Sequence, residues 1–340
     1  MTTPTFDIVI PTLGRDTLGT LLCSLRGNTA TPGAIFVAAD ARAPVEVRAK
    51  ALPSDLRTRV GVVQAAKPGP AAARNAGWRA ARSEWVVFLD DDVVVPAGWG
   101  RALQVDLAVC GPEVAGSQGG VEVPLPRHRR PTDWERNVKG LEVARHATAD
   151  MAYRRAVLAE IGGFDERFVR AYREDSDCAL RVQRSGHVIV VGSRCVSHPV
   201  GPTTFWSSVS RQAGNADDVL MRRLHGPRWR DAAGAPRGRL RRHVAVTGAG
   251  ALGLVARGAG WSRASGAALA AWAAGTAGLA WRRVAPGPRD AREVLTMVVT
   301  SAVIPPAATW HWLRGWLRGA PVVLTGPGRE TSPLATEAGA

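Results

Sequence analysis

The sequence predicts an α/β protein with a mostly parallel sheet between helices, followed by a C-terminal helical extension. Short apolar runs alternate with helical periodicity through roughly the first 100 residues, and this rhythm is typical of a parallel sheet. The run at residues 85–89 has no polar alternation, as expected for a strand buried on both faces. Beyond about residue 215, arginine, alanine and glycine dominate the composition, which sets the extension apart.

Apolar periodicity predicts the individual elements. We expect strands at residues 6–10, 34–39, 60–63, 85–89 and 187–191, and helices at 16–25, 70–82, 156–161 and 173–184. Residues 111–131 are rich in Gly and Pro and are interpreted as a loop. Residues 264–281 and 294–313 are uncharged, apolar and close to the minimum length of a membrane span, and Pro305-Pro306 interrupts the second.

The charge of the chain is concentrated in its C-terminal part. The formal net charge is +15, of which +11 falls in residues 201–340, and only three of the 44 basic residues are lysines. Arginine binds phosphate in a bidentate manner, and a coding bias is the alternative explanation of the excess. The four cysteines have no metal-ligand spacing and predict reduced thiols. No secretory signal is visible at residues 1–6.

Three adjacent carboxylates, Asp90, Asp91 and Asp92, directly follow the strand at residues 85–89. Ligands of open α/β sheets bind at the carboxyl ends of strands. Adjacent like charges raise one another's pKa unless a counter-charge is present, and a hard divalent cation with oxygen ligands provides one. An acidic turn is the simpler alternative, but three carboxylates after a buried strand favour a metal site.

Several short motifs follow one another in a characteristic order. They are Ile8-Val9-Ile10-Pro11-Thr12, Asp40, Arg74-Asn75-Ala76-Gly77, Phe88-Leu89-Asp90-Asp91-Asp92, Gly162-Gly163-Phe164-Asp165-Glu166 and Glu174-Asp175-Ser176-Asp177. This set, over roughly residues 5–200, resembles the family-2 glycosyltransferases with the nucleotide-diphosphosugar (GT-A) fold. The resemblance implies inverting transfer of a sugar from a nucleotide-sugar donor to a glycan or lipid-linked acceptor, with manganese or magnesium as cofactor.

The resemblance also assigns metal ligands. It implies that Asp92 holds the metal and that Asp90 contacts the ribose or the metal. Asp91 is then a spacer, and we expect it to tolerate replacement. His198 follows the last predicted strand, where a histidine completes the metal shell in some relatives, although a purely structural histidine is an equal alternative.

The donor nucleotide has its own candidate residues. Asp40 ends the second strand and resembles the carboxylate of the family that binds the base. Pro11, Thr12 and Arg15 are expected to line the nucleotide pocket. Arg74 is a candidate for phosphate binding, with a helix-surface arginine as an equal alternative.

On the acceptor side, the resemblance makes Asp175 the general base and Glu174 its acceptor-holding neighbour. A carboxylate suits this role because it can accept the proton of the attacking hydroxyl. The alternative is an acidic helix start that favours the helix dipole. The Gln-x-x-Arg-Trp pattern of processive synthases is absent from the sequence, which favours one or a few transfers over polymerisation.

We therefore predict a catalytic domain at residues 1–215, a basic linker at 216–243, a membrane-associated helical region at 244–320 and a disordered tail at 321–340. The enzyme is expected at the cytoplasmic face of the cell membrane, with an anionic surface as partner and no nucleic acid. The alternative for the extension is a soluble helical region, which would make the protein cytoplasmic. Alternative functions are a sugar-phosphate nucleotidyltransferase and a basic module that binds nucleic acid or a membrane surface.

Overall fold

A computed structural model describes residues 3–26, 28, 30–43 and 56–318. These residues form a seven-stranded sheet in the order β3-β2-β1-β4-β6-β5-β7. Strand β6 is antiparallel to β4 and β5, and the other pairs are parallel. The strands are β1 (Phe6–Thr12), β2 (Ile35–Ala39), β3 (Val60–Gln64), β4 (Trp85–Leu89), β5 (Val114–Glu122), β6 (Asp150–Arg154) and β7 (Val188–Ser197).

Helices cover both faces of the sheet and form the C-terminal extension, so the predicted fold class is confirmed. In chain order they are α1 (Thr17–Ser24), α2 (Pro70–Ala80), α3 (Trp99–Ala108), α4 (Asp133–Val138), α5 (Arg155–Glu160), α6 (Glu174–Arg184), α7 (Ser207–Ser210), α8 (Gly214–His225), α9 (Trp229–Ala232), α10 (Leu240–Gly258), α11 (Ser262–Val284) and α12 (Ala291–Leu317).

The two-residue period of the strands divides the core into two layers. Ile8 and Val87 pack with α1 and α3 on one face, whereas Val9 and Phe88 pack with α2, α5 and α6 on the other. Each side chain buried in this way contributes about 1.5–3 kcal/mol of transfer free energy. Strand β4 is therefore fixed from both faces, and its last residue delivers the acidic cluster to a defined position.

The interpretation of residues 111–131 as a loop is wrong for residues 114–122, which form β5 inside the sheet, and holds for residues 123–131. The glycines of β5 occur where neighbouring side chains leave no room for a Cβ atom. A Cβ on Gly116 would lie 3.0 Å from Ile189 Cγ1 and 3.1 Å from Tyr153 Cε1, and one on Gly119 would lie 2.3 Å from Asp150 Oδ2. Small residues let neighbouring side chains lie over the strand, and composition alone cannot distinguish this from a turn.

The prolines at 305 and 306 do not interrupt the C-terminal helix, because α12 continues through both of them. Proline removes a backbone donor and disfavours a helix interior. Here packing outweighs that preference: Ile304, Pro305 and Ala308 are buried, and Thr309 Oγ1 donates to Pro305 O at 2.9 Å. By length and hydropathy, α12 is the one helix among the described residues that could cross a membrane.

Helices α10, α11 and α12 pack together beside the catalytic part. Glycines allow the close approach of α10 and α11, since a Cβ on Gly253 would lie 2.8 Å from Leu269 and one on Gly275 would lie 2.5 Å from Val246. The stretch predicted as a basic linker, residues 216–243, contains most of α8, all of α9 and the start of α10. The predicted disordered tail lies outside the described residues, and the domain boundaries stay a prediction.

One buried arginine joins the helical extension to the catalytic part. Arg283 of α11 is 6 % exposed and binds Asp133 Oδ2 of α4 at 3.0 Å. It also donates to Thr300 and Ser301 of α12 at 2.8 and 3.0 Å and to Ser208 Oγ at 2.9 Å. Because four elements share one guanidinium, this residue fixes the orientation of the extension.

Replacing Arg283 with methionine should lower the free energy of unfolding by about 3 kcal/mol. The substitution leaves one carboxylate and three hydroxyl groups without their hydrogen-bond donor. Chemical denaturation of the full chain measures this. Arg282→Met, one position away on an exposed surface, is the matched control and should change stability by less than about 0.5 kcal/mol. Equal effects of the two substitutions would contradict the role of Arg283.

Candidate active site

The carboxyl ends of β1, β2 and β4 meet at one edge of the sheet and carry most of the predicted donor-site residues. Strand β1 pairs with both β2 and β4, so Thr12, Asp40 and the acidic cluster lie on adjacent strands. Thr12 Oγ1 donates to Asp91 Oδ2 at 2.5 Å. The parallel register therefore brings together residues that are 79 positions apart in the chain.

Asp91 is the most buried carboxylate of the cluster, with 1 % exposure. In addition to Thr12, it binds the guanidinium of Arg15 through both of its oxygens. Arg15 Nη1 also donates to Asp92 Oδ2 at 2.9 Å. The spacer role expected for Asp91 does not describe this arrangement, because Asp91 ties the loop after β1 to the end of β4.

Asp90, Asp92 and His198 form a group of candidate metal ligands. One ligand atom from each lies within 4.8 Å of the others, and all three side chains are half-buried. His198 Nε2 lies 3.3 Å from Asp92 Oδ1. Burial and the charge of Asp90 raise the pKa of Asp92, against the opposing effects of His198 and Arg15. Two carboxylates and an imidazole are a donor set that suits a divalent cation.

A buried arginine connects this group to the other candidate carboxylates. Arg74 of α2 is 3 % exposed and donates to Asp90 Oδ1 and Glu174 Oε1, each at 2.9 Å. Burial alone would lower the pKa of Arg74, but Asp90 and Glu174 outweigh burial and raise it. The guanidinium is therefore a permanent positive charge between the end of β4 and the start of α6.

Glu174 and Asp175 begin α6 in a strongly desolvated environment. Burial raises the pKa of Glu174 to about 7 despite the nearby charge of Arg74. Burial also raises the pKa of Asp175, although hydrogen bonds from Ser176 oppose it. Asp175 Oδ1 accepts from Ser176 N at 2.6 Å. Arg173, just before them, has φ of 78°, a conformation that costs a non-glycine residue about 1 kcal/mol or more.

Asn75 holds the loop before α6 against α2. Its Oδ1 accepts from Phe164 N at 2.9 Å and from Trp78 Nε1 at 2.8 Å, and its Nδ2 donates to Phe164 O at 2.8 Å. Gly163 has φ of 76°, and a Cβ there would lie 2.5 Å from Asn75 Oδ1. The motif at residues 74–77 therefore contacts the motif at residues 162–166. The lack of a side chain at Gly163 leaves room for Asn75.

Asp40 is buried at the end of β2 and already has partners. Arg42 binds its two carboxylate oxygens at 2.8 and 2.7 Å, and Gly69 N donates to Oδ2 at 2.7 Å. The side-chain hydrogen bonds from Arg42 lower the pKa of Asp40 to about 2. A base that bound Asp40 would have to displace Arg42. Pro11 is buried in β1 beside Ala38 and offers only an apolar surface.

Sequence reasoning missed three features of this site: the link from Arg74 to Glu174, the anchoring role of Asp91 and the partnership of Arg42 with Asp40. The first two arise from side chains that are 100 and 76–79 positions apart, and no local pattern reports such distances. The spacing of Arg42 two residues after Asp40 could have indicated the third.

Comparison with known proteins supports the resemblance. Residues 7–162 match the family model described as "Glycosyl transferase family 2". Over 130 residues the chain is 30 % identical to the "Pre-mycofactocin glycosyltransferase" of Mycobacterium tuberculosis strains CDC 1551 / Oshkosh and ATCC 25618 / H37Rv. The match covers 35 % of this chain and only 27 % of these curated relatives.

Solved structures align with this chain at low sequence identity. The "Mannosyltransferase PcManGT from Pyrobaculum calidifontis in complex with GDP-Man and Mn2+" aligns over 93 % of this chain and 87 % of its own, with 17 % identity and a TM-score of 0.50. S. aureus TarS aligns over 89 % of this chain and 55 % of its own, with 14 % identity and a TM-score of 0.44. At 17 % identity, the likeness to the first structure shows the fold alone.

Asp91→Ala should lower the free energy of unfolding by about 1–3 kcal/mol, because Thr12 and Arg15 lose a charged, buried acceptor. Thermal and urea unfolding of the full chain measure the loss. Asp16→Ala removes an exposed carboxylate without a capping hydrogen bond and serves as the control. If the two variants were equally stable, Asp91 would be a spacer after all.

Proposed function

We propose, from the match of residues 7–162 to the family-2 glycosyltransferase model, that the chain transfers a sugar from a nucleotide-diphosphosugar donor to an acceptor hydroxyl with inversion. The observation that supports this most directly is the arrangement around Arg74. One side of its guanidinium faces the Asp90–Asp92–His198 group, and the other faces the start of α6. A donor site and an acceptor site side by side are what a single displacement requires.

The donor diphosphate would lie over the acidic cluster. Asp90, Asp92 and His198 would hold a manganese or magnesium ion, since their ligand atoms converge within 4.8 Å. Such an ion, when bound, neutralises charge on the leaving diphosphate. The solved structure of PcManGT, described with GDP-Man and Mn2+, supports the choice of manganese as the first cation to test. Thr12, Arg15 and Asp40 would border the nucleotide.

The acceptor hydroxyl would transfer its proton to Asp175. Ser176 occupies Oδ1 of that carboxylate, and no described residue donates a hydrogen bond to Oδ2, which leaves one oxygen available. Its raised pKa makes Asp175 a stronger base than an ordinary surface aspartate once it is ionised. As the proton leaves, the acceptor oxygen bonds to the anomeric carbon opposite the departing phosphate oxygen. Arg74 would keep Glu174 and Asp90 in position throughout.

The C-terminal helices would bind the membrane surface from the cytoplasmic side and bring the domain to a lipid-linked or glycan acceptor. Exposed tryptophans support this, because Trp261 and Trp281 are each 67 % exposed and Trp310 is 59 % exposed. Both ends of α12 are tied to the rest of the chain: Glu293 accepts from Asp133 N of α4 at 2.8 Å, and Trp316 O accepts from Arg223 of α8 at 2.7 Å. A helix held at both ends by other helices of the chain favours peripheral over spanning attachment.

Metal dependence can be tested without knowledge of the sugar. A panel of nucleoside diphosphates and nucleotide sugars with Mn2+ should stabilise the protein thermally, and a chelator should abolish the effect. Asp92→Ala should lose the metal-dependent shift, whereas Asp16→Ala should keep it. Unchanged stabilisation and turnover in Asp92→Ala would refute the metal assignment.

Asp175→Asn should reduce kcat by about 10²–10⁴-fold with little change in donor KM, because it removes the base but leaves the donor site intact. In the unmodified protein, kcat/KM should rise with pH through the raised pKa of Asp175, since only the ionised carboxylate accepts a proton. Asp165→Asn, in the preceding loop, is the control. Retention of full activity in Asp175→Asn would place the base elsewhere.

Fractionation of the expressed full chain tests the proposed location. We expect the protein to sediment with membranes and to be released by high salt, because arginine contacts with anionic lipids are screened by ions. Protein that stays wholly soluble without detergent would contradict peripheral attachment. Protein that resists salt and needs detergent would indicate an integral segment instead.

A further inference from the structure

A cavity of about 220 Å³ lies between the start of α10, the end of α11 and the middle of α12. It is separate from the candidate active site and shares no lining residue with it. Arg239, Arg242 and Arg282 line the cavity with exposed side chains. Leu279 and Pro305, which are buried, form part of its lining. The cavity therefore combines an exposed basic rim with an apolar interior.

The three arginines have no counter-charge in the described ranges. None makes an ion pair or a side-chain hydrogen bond there, whereas Arg283, the next residue after Arg282, is fully engaged with Asp133. Three guanidinium groups around one small cavity repel one another, and a bound anion would relieve this repulsion. The arrangement thus has a charge that the described protein leaves uncompensated.

The geometry favours a phosphate group over a single carboxylate. Arginine matches phosphate oxygens in a bidentate manner, and three arginines can satisfy several oxygens and more than one negative charge. His243 also lines the cavity, and burial together with Arg239 lowers its pKa. It therefore offers a neutral hydrogen-bonding group near pH 7 rather than a further charge.

The apolar lining identifies the remainder of the ligand. A free inorganic phosphate would leave the surface of Val246, Leu279 and Pro305 in contact with water. The volume is below the range of about 300–1,000 Å³ typical of pockets that enclose a whole small molecule. A phosphate head with the first few methylene groups of a chain fits these limits, while the rest of the chain would lie outside.

The surroundings of the cavity suit a membrane surface. Trp281 directly precedes Arg282 and is 67 % exposed, and Trp310 of α12 is 59 % exposed. Thr309, next to Trp310, contacts Thr247 of α10 at 3.2 Å, which brings this end of α12 close to α10. Exposed indole rings beside arginines are typical of the interfacial layer of a bilayer, where both the apolar ring and its N–H group are accommodated.

We propose that this cavity is a binding site for the phosphate head of an anionic membrane phospholipid, with the first part of the acyl region against its apolar lining. The inference builds on the proposed peripheral attachment and makes it specific, since it assigns recognition to three named arginines rather than to the net charge of the extension. The site lies outside the transfer machinery, so its loss should leave catalysis on a water-soluble acceptor unchanged.

The test compares two charge-matched double variants of the full chain. Arg242→Gln with Arg282→Gln removes two cavity arginines from α10 and α11. Arg257→Gln with Arg263→Gln removes two exposed arginines from the same two helices outside the cavity. Both lose the same charge, and exposed substitutions of this kind change stability by only about 0.5 kcal/mol. Thermal unfolding of each variant checks that the fold is retained.

Binding is measured by flotation with phosphatidylcholine vesicles that contain phosphatidic acid. We expect the cavity variant to bind about 10–30-fold more weakly than the wild type, from roughly 1 kcal/mol for each arginine near the surface. The control variant should stay within about threefold of the wild type. Equal weakening of the two variants would overturn the proposal in favour of diffuse electrostatic attraction.

Soluble probes separate a lipid head from free phosphate. Short-chain dihexanoyl phosphatidic acid, studied by calorimetry below its micelle concentration, should bind the wild type and fail to bind the cavity variant. Inorganic phosphate and dihexanoyl phosphatidylcholine should bind more weakly. Inorganic phosphate that binds as tightly as the lipid would overturn the lipid assignment, and so would the absence of any lipid binding.

Turnover distinguishes a failure of this inference from a failure of the proposed transfer activity. Metal-dependent hydrolysis of the accepted nucleotide sugar should be the same in the cavity variant and the wild type. Loss of hydrolysis in the cavity variant, with its fold retained, would contradict a site outside the transfer machinery. Normal hydrolysis with no lipid discrimination would reject the lipid site alone.

Discussion

The buried guanidinium of Arg74 is the constraint on which the candidate active site depends. Burial of an arginine costs several kcal/mol unless its charge and its donors are satisfied. Asp90 and Glu174 balance the charge and accept from the two terminal nitrogens at 2.9 Å each, whereas Nε has no hydrogen-bond partner among the described residues. The end of β4 and the start of α6 are therefore held by a shared charge, and movement of either carboxylate would leave the buried guanidinium with only one counter-charge.

Buried arginines bind distant carboxylates at two other places where separate parts of the chain meet. Arg194 of β7 is fully buried and binds Asp106 of α3 and Asp150 of β6. Arg283 joins α11 to α4 and α12. In each case a planar, permanently charged group offers several donors to distant acceptors, which lysine could not match in geometry. Buried arginines thus define the relative positions of the sheet, its helices and the extension.

The arginines at the cavity of the extension differ from these buried arginines, because they are exposed and unpaired. Within the described part of the chain Arg239, Arg242 and Arg282 have no acidic partner, whereas Arg283, which follows Arg282 on α11, binds Asp133 and Thr300. The physical difference is solvent: an exposed guanidinium can stay unpaired in water, whereas a buried one cannot. Paired arginines therefore hold the structure together, and unpaired ones remain available for a ligand from outside.

The sequence by itself determined the fold class, the strands around the acidic cluster and the order of the motifs, because these follow from apolar periodicity and local residue types. Only the tertiary structure decided that Asp91 is an anchor, that Arg74 connects Asp90 to Glu174, and that glycine-rich residues 114–122 form an inner strand. These features depend on side chains that are far apart in the chain. Local propensity cannot encode such contacts, because their energy arises only when packing excludes water around them.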